Sequence, residues 1–482
     1  MIVKSLVQKF SSSFIRPVLA KNRINPRKMK IDTPEFRSLF TPQLNKLSEL
    51  FKENNYDLRI AGGAVRDLLM GIRPADVDFA TTATPTQMKE LFDKEQIRML
   101  HKRGEEHGTI TCRMDDKENF EITTLRVDLV CDGRRAEVKY TTDWQLDANR
   151  RDLTINSLFL DLDGNVIDYF GGIEDIQKRR VAFVGDPTQR IQEDYLRILR
   201  YFRFFGRISS SAEHECETIK AIKENSEGLA GVSAERIWTE MKRLVIGRMA
   251  DHVIRCMLDE CKLQKYLGLP EDTNVDRFAR VFRKYEMHLE PMTMIASLCE
   301  TPEDIDRFHK KAKLSNVERI LGEFIVGYRK SAEHALSTGA LDWWKDVIVQ
   351  LEVTPGHDKQ KVSGLYQVVQ LARAVCADEK LIKELESWTI PIFPVKGLDL
   401  MAVGVERGPK MKLTLTYLFE LWQKSRYEMS KEELLTHAHD NYRKRDVARR
   451  ADDSTSFEVQ DRRSLLVCSM NAYKGGALVD LQ

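Results

Sequence analysis

Residues 58–84 read LRIAGGAVRDLLMGIRPADVDFATTAT. A short strand-like run through Leu58 and Ile60 breaks at Gly62-Gly63 and continues as a helical segment carrying Arg66 and Asp67. After Gly71 and Pro74 the chain returns to an extended pattern, Asp76-Val77-Asp78-Phe79-Ala80. Successive strand side chains point to opposite faces, so Asp76 and Asp78 share one face and Val77 and Phe79 the other. One face is suited to a core. The other carries two carboxylates that can hold a hard divalent cation such as Mg²⁺ through oxygen. The glycine pair lets backbone N–H groups approach a phosphate closely, and Arg66 is placed to add charge. Taken alone, D-x-D also suits a solvated turn, and G-G a helix boundary.

A third carboxylate shifts the balance. Residues 119–126, NFEITTLR, alternate as a strand with Phe120 and Ile122 on one face and Glu121 and Thr123 on the other. Three acids on neighbouring strands beside a phosphate-binding turn form the layout of two-metal nucleotidyl transfer, in which one metal ion activates the attacking hydroxyl and the other holds the triphosphate that carries the leaving group. Downstream, residues 147–161 (DANRRDLTINSLFLD) predict a helix leading into a strand, with Arg150, Arg151 and Asp152 at its start and Asn156 one turn later. The arginines suit a triphosphate and the aspartate a ribose hydroxyl. Residues 166–172 read as a strand ending in a glycine turn, 173–180 as a short helix and 181–184 as a strand.

Residues 188–206 (TQRIQEDYLRILRYFRFFG) read as one helix that brings Glu193, Asp194 and Arg197 within a turn. An Asp acceptor beside an Arg fork can read a nucleobase edge; the same spacing also suits a surface salt bridge. Tyr201, Phe202, Phe204 and Phe205 read as core. Between these motifs, 127–145 alternate weakly around the hairpin signal Asp132-Gly133. That stretch suits either a flexible ribbon beside the site or an ordinary surface hairpin. His101 and His107 lack a third ligand at metal spacing and read as loop residues.

Composition bounds the remainder. The 482 residues favour several domains, and 42% apolar content supports real cores. Because 76 basic residues face 74 acidic ones, for a net charge of +2, nucleic-acid affinity has to come from a local patch. The 8 cysteines contain no C-x-x-C pair, which points away from zinc and disulfide frameworks and toward a reducing compartment. No apolar run reaches the roughly 18 residues of a membrane span. Residues 1–30 hold eight basic residues and no acid, with Ile2, Leu6, Phe10 and Phe14 at helical spacing. Such a segment reads as a mitochondrial transit peptide, and Met29 offers a second start for a cytoplasmic or nuclear form.

Together, GGAVRDLLMGIRPADVDFATTA, EITTLR, RRDLTIN, DYFGG, EDYLRILRYFRF and AERIWTEMKRL, spread over residues 58–245, resemble the class II tRNA nucleotidyltransferases, the CCA-adding enzymes. The resemblance implies an α+β fold: a palm-like nucleotidyltransferase head with a mixed sheet at 31–184, a helical neck at 185–250, a helical body at 251–390 and a helical tail at 391–440. Residues 441–482 match nothing in the family and are expected to be disordered. The implied activity is addition of CCA to the tRNA 3′ end from CTP and ATP. Asp76, Asp78 and Glu121 would bind Mg²⁺; Gly62, Gly63 and Arg66 the triphosphate; Arg151, Asp152 and Asn156 the incoming nucleotide. Asp194 and Arg197 would pair with the base, Glu193 would orient that arginine, and Arg200 would join the nucleotide site. The loop at 127–147 would take part in the switch from CTP to ATP. The protein would act without a membrane, as a monomer or homodimer. At 406–412 the chain reads ERGPKMK where the family carries a K-P-G-P-x-x-G-like turn. A bacterial-type poly(A) polymerase shares the head motifs; partial (CC- or A-) addition and a non-catalytic RNA-binding role are further alternatives.

Overall fold

The structure is a computed structural model that describes residues 25–100, 108–131, 136–285, 289–354 and 362–439. Its first unit, residues 25–344 with 365–387, opens on an eight-stranded mixed sheet. In chain order the strands are β1 (Arg27–Lys30), β2 (Leu58–Ala61), β3 (Asp78–Thr81), β4 (Arg98–Leu100), β5 (Thr109–Met114), β6 (Glu118–Thr124), β7 (Arg126–Cys131), β8 (Ala136–Tyr140), β9 (Phe159–Leu160) and β10 (Asn165–Asp168). The sheet runs β1-β10-β9-β2-β3-β6-β5-β4, while β7 and β8 form a separate two-stranded ribbon. The expectation of a mixed-sheet head followed by helices is met.

The head helices are α1 (Pro34–Arg37), α2 (Pro42–Glu53), α3 (Gly63–Leu69), α4 (Pro85–Lys94), α5 (Trp144–Asn149) and α6 (Gly172–Gln177). Their starts are written locally. Thr41 Oγ1 accepts from Leu44 N at 3.1 Å, and Pro42 occupies the first turn of α2, where its missing N–H costs nothing. Thr84 and Gln87 close a capping box around Pro85. One face of the sheet buries Phe79, Phe120 and Ile122, with Phe79 and Phe120 edge to face, while Phe51 of α2 and Phe92 of α4 are buried against each other. On the other, Ala61, Ala80 and Phe159 pack against Trp144 and Ala148 of α5. That covering stops short of Asp78 and Glu121, which stay exposed.

Four further helices carry the chain to residue 244: α7 (Pro187–Glu193), α8 (Arg197–Ile208), α9 (Cys216–Asn225) and α10 (Ala234–Leu244). Tyr201, Phe202, Phe204 and Phe205 of α8 are buried, as their core reading anticipated. Later helices in the same unit include Val275–Tyr285, Pro291–Leu298, Pro302–Ala312 and Asn316–Thr338, the last begun by a Ser315/Glu318 capping box. The second unit, residues 345–364 and 388–439 as described, has its own core of Val349, Phe393, Leu400, Leu418, Phe419, Trp422 and Leu434.

Local readings needed correction in five places. The helix at 188–206 is broken: Asp194 is extended (φ −156°, ψ 105°), and α8 restarts at Arg197. The Asp194 carboxylate accepts from Leu196 N two residues on, the local Asx-turn bond by which Asp side chains compete with a helix ladder. Arg150, Arg151 and Asp152 follow the C-terminal end of α5 instead of opening a helix, because Asp143 caps the helix earlier. Residues 181–184 make an isolated bridge, Leu153 to Phe183, and no strand. Asp76 precedes β3 instead of lying on it. Residues 27–30, read as part of a transit segment, pair as β1 with β10. His101, His107, the Asp132-Gly133 turn and 440–482 lie outside the described residues.

Candidate active site

Strand β3 runs parallel to β6 with Asp78 opposite Glu121, so two carboxylates project side by side from the uncovered edge of one face. Asp76 stands two residues ahead. Among the described residues, none of the three accepts a side-chain hydrogen bond or ion pair, and their charges act on one another. Partial desolvation by the surrounding sheet, reinforced by Asp76, raises the Asp78 pKa even though its side chain reaches solvent; the same desolvation, then Asp78 and Asp76, raise that of Glu121. Arg151 is the cation that works against this at Asp78. A cluster of oxygen donors held short of compensating charge fits a hard divalent ion. No three His, Cys, Asp or Glu side chains among the described residues are already closed around a common point.

The turn between β2 and α3 supplies the next component. Gly62 has φ +65° and ψ −116°, and a Cβ there would lie 2.9 Å from Arg151 Nη1 and 3.4 Å from Asn156 O. Arg151 therefore lies across the turn, donating through Nη1 to Asn156 O at 3.2 Å and through Nε and Nη2 to Asp147 Oδ2. Gly63 begins α3, whose next turn carries Arg66. The Arg66 guanidinium is only 3% exposed and donates to Asp67 Oδ1 and to Asn156 Oδ1 at 2.6 Å. Asn156 Nδ2 donates to Asp152 Oδ1, and Arg200 Nε donates to Asp152 Oδ2 at 2.6 Å. Burial works to raise the Asp152 pKa, yet Arg200 holds it down to about 2. Gly62, Arg66, Arg151, Asp152, Asn156 and Arg200, scattered in sequence, thus form one connected polar network. Beside it, the guanidiniums of Arg66, Arg200 and Arg203 lie 4.8, 5.7 and 4.2 Å from the Phe204 ring centre.

At the break between α7 and α8, Glu193 Oε2 accepts from Arg197 Nη1 at 2.7 Å and from Arg190 Nη1 at 2.9 Å. Arg197 Nη2 donates to Arg150 O at 2.9 Å. Asp194 does not join them: its Oδ2 accepts from Arg236 Nη2 of α10 at 2.6 Å. The structure therefore brings Glu193 and Arg197 together and turns Asp194 toward α10.

Several residues here escaped the reading of the sequence. Asp67 bridges Arg66 to Arg207, which donates to both its carboxylate oxygens at 2.9 and 3.0 Å. Glu240 accepts from Arg203, and Asp147 from Arg150 and Arg151. The available signals were spacing: Arg200, Arg203 and Arg207 repeat at i, i+3 and i+7, and Asp147 stands three and four residues before the arginine pair.

Residues 58–182 match the family described as Poly A polymerase head domain, and 215–271 the one described as Probable RNA and SrmB- binding site of polymerase A. The human protein named CCA tRNA nucleotidyltransferase 1, mitochondrial, is 48% identical over 412 residues, which cover 85% of this chain and 92% of that one. The chain belongs to the CCA tRNA nucleotidyltransferases. The zebrafish (Danio rerio) enzyme of the same name is 47% identical to this nucleotidyltransferase, over 85% of this chain and 93% of that one. Among solved structures, the Bacillus stearothermophilus CCA-adding enzyme in complex with CTP aligns with a TM-score of 0.64 at 25% identity, covering 86% of this chain and 100% of that one. Similarity of the nucleotidyltransferase to its relatives thus runs well beyond the head that poly(A) polymerases share, so that alternative is not favoured.

Proposed function

We propose that the protein adds C, C and A in turn to the 3′ end of tRNA, using CTP and ATP and releasing pyrophosphate. The strongest support is the Asp78–Glu121 pairing across parallel strands, with Asp76 alongside and the Gly62–Arg151 turn next to it. Asp76, Asp78 and Glu121 would hold Mg²⁺, which when bound supplies polarisation of the attacking hydroxyl and neutralises charge on the leaving pyrophosphate. Gly62, Gly63, Arg66 and Arg151 hold the triphosphate, while Asp152, Asn156 and Arg200 shape the sugar side of the pocket. Catalysis is then largely positioning and charge stabilisation, with no covalent intermediate.

Glu193 fixes the Arg197 guanidinium so that its remaining N–H groups read the base, and Asp194 contributes once its pairing with Arg236 is exchanged for the nucleotide. Head, neck, body and tail divide at 31–184, 185–250, 251–390 and 391–440, the helical parts binding tRNA mainly through its backbone and shape. The protein works as a monomer or homodimer. Among the described residues no helix is long and apolar enough to cross a membrane. The human and zebrafish relatives carry "mitochondrial" in their names. We infer a mitochondrial form directed by the basic N-terminal segment and a cytoplasmic or nuclear form begun at Met29, which would keep only the second half of β1.

The test is incorporation on a tRNA transcript lacking CCA, with products sized to single nucleotides. Two additions with CTP, and a third only when ATP joins, are expected. A long ladder with ATP alone would instead assign a poly(A) polymerase. Asp76→Ala should abolish transfer and leave tRNA binding nearly intact.

A further inference from the structure

The short helix α5 is tied to groups of the site from its interior and from its C-terminal end. From within it, Asp147, 1% exposed, uses both carboxylate oxygens. Oδ1 accepts from Arg126 N at 3.1 Å and Arg150 Nε at 2.9 Å; Oδ2 accepts from Arg151 Nε at 3.2 Å and Nη2 at 3.1 Å. Arg126 opens β7, so the first of these bonds fastens the root of the β7–β8 ribbon; Thr141 N, donating to Leu125 O at 2.9 Å, ties down its return. At the C-terminal end, the carbonyls that α5 cannot satisfy internally are filled by guanidiniums of the α7–α8 break. Asn149 O accepts from Arg190 Nη1 at 2.7 Å and Arg150 O from Arg197 Nη2 at 2.9 Å. Arg190 and Arg197 in turn share Glu193.

Four guanidiniums, Arg150, Arg151, Arg190 and Arg197, are therefore organised by two carboxylates and two helix-end carbonyls. Burial works to raise the Asp147 pKa, but Arg150 and Arg151 win and hold it low, so its charge is permanent at working pH. A carboxylate can accept from all four donors at once. An amide cannot, because one of its two ends is itself a donor.

Building on the proposed function, we propose that Asp147 is a positioning residue that sets Arg151 against the triphosphate directly and Arg197 against the base through the Arg150 backbone, so that the ribbon, phosphate and base contacts share one anchorage. A shift at the ribbon root then reaches both arginines through hydrogen bonds alone. Without the Asp147 charge, Arg151 keeps Asn156 O, the Phe159 ring and the field of Asp152, and the Asp78 carboxylate whose field it already feels gains weight. Competition there would raise the metal requirement.

The test uses the full chain and CCA-less tRNA. Initial rates are measured against CTP, ATP and Mg²⁺ for wild type, Asp147→Asn, Arg190→Met and a control, Asp251→Asn. Asp251 is also a buried carboxylate paired to an arginine, Arg283, but lies in the helix Ala250–Arg255 outside the site. Asp147→Asn is expected to raise KM for both nucleotides roughly ten-fold or more, the effect of losing one charge-assisted hydrogen bond. It should also weaken the preference for CTP over ATP at the first position and raise the Mg²⁺ needed for half-maximal rate, with kcat changed less. Arg190→Met should weaken the preference with little change in KM. Asp251→Asn should lower Tm and move none of these. An Asp147→Asn enzyme whose KM, preference and Mg²⁺ requirement match Asp251→Asn overturns the inference. If Asp147→Asn fails to fold, wild-type preference in Arg190→Met overturns it instead. Wild type that fails to add C, C and A refutes the proposed function itself, a separate result.

Discussion

Gly62→Ala perturbs the site through a single methyl group. At φ +65° and ψ −116°, a conformation L residues rarely adopt, a side chain carries a penalty of about 1–3 kcal/mol that glycine escapes. The new Cβ would also stand 2.9 Å from Arg151 Nη1, closer than real Cβ contacts allow. A guanidinium end can move, but this one is pinned from two sides: Asp147 holds Nε and Nη2, and Asn156 O holds Nη1. The bond most readily given up is the 3.2 Å contact to Asn156 O, costing about 1–2 kcal/mol more. The sum, about 2–5 kcal/mol, corresponds to a fall of about 4–10 °C in Tm at roughly 2 °C per kcal/mol for a large folding unit. Because the displaced group is the one proposed to meet the triphosphate, kcat/KM for both nucleotides should fall about ten-fold or more. Gly63→Ala is the matched comparison. Its Cβ would meet Arg66 Nη2 at an ordinary 3.6 Å, and at the first position of α3 alanine is the better helix former by up to about 1 kcal/mol. Thermal denaturation of both variants without nucleotide separates the two glycines. Equal melting shifts, or a Gly62→Ala enzyme that melts with wild type, would refute the account of the turn.

The raised pKa values of Asp78 and Glu121 carry a sign. The folded state holds these protons more tightly than the unfolded chain, so the ionised pair costs stability that is absent below the ordinary carboxylate range and accrues as pH rises through it. Asp78→Asn should therefore melt above wild type in EDTA at neutral pH yet lose the stabilisation by Mg²⁺ and all transfer; a lower melting point in EDTA would contradict this. With wild type, the acid limb of the rate profile should move to lower pH as Mg²⁺ is raised, and a limb independent of Mg²⁺ would contradict the metal assignment. Glu193→Ala leaves Arg190 and Arg197 without their shared carboxylate and should blur the choice between CTP and ATP more than it slows transfer; unchanged selectivity with equal loss for both nucleotides counts against the base-reading role. Arg329, 4% exposed, donates to Cys299 O at 2.7 Å and to Ala296 O at the end of the helix Pro291–Leu298. Arg329→Met should cost about 2–4 kcal/mol in denaturant unfolding while leaving nucleotide KM unchanged.

By itself the sequence determined what is local and periodic. Alternation placed Phe79, Phe120 and Ile122 inside and Asp78 and Glu121 outside, because strand faces repeat every second residue. The resemblance of the ordered motifs named residues that the fold does collect. Tertiary structure decided the partners. Nothing in the spacing of EDYLR says that Asp194 leaves the helix to meet Arg236, 42 residues away, while Glu193 stays with Arg197. Nor does the run DANRRD reveal that α5 stops at Asn149 so that guanidiniums from 41 and 47 residues downstream can fill its carbonyls. A helix pattern records which side chains share a face; where a helix ends depends on who satisfies its last carbonyls, and here those donors come from the other side of the site.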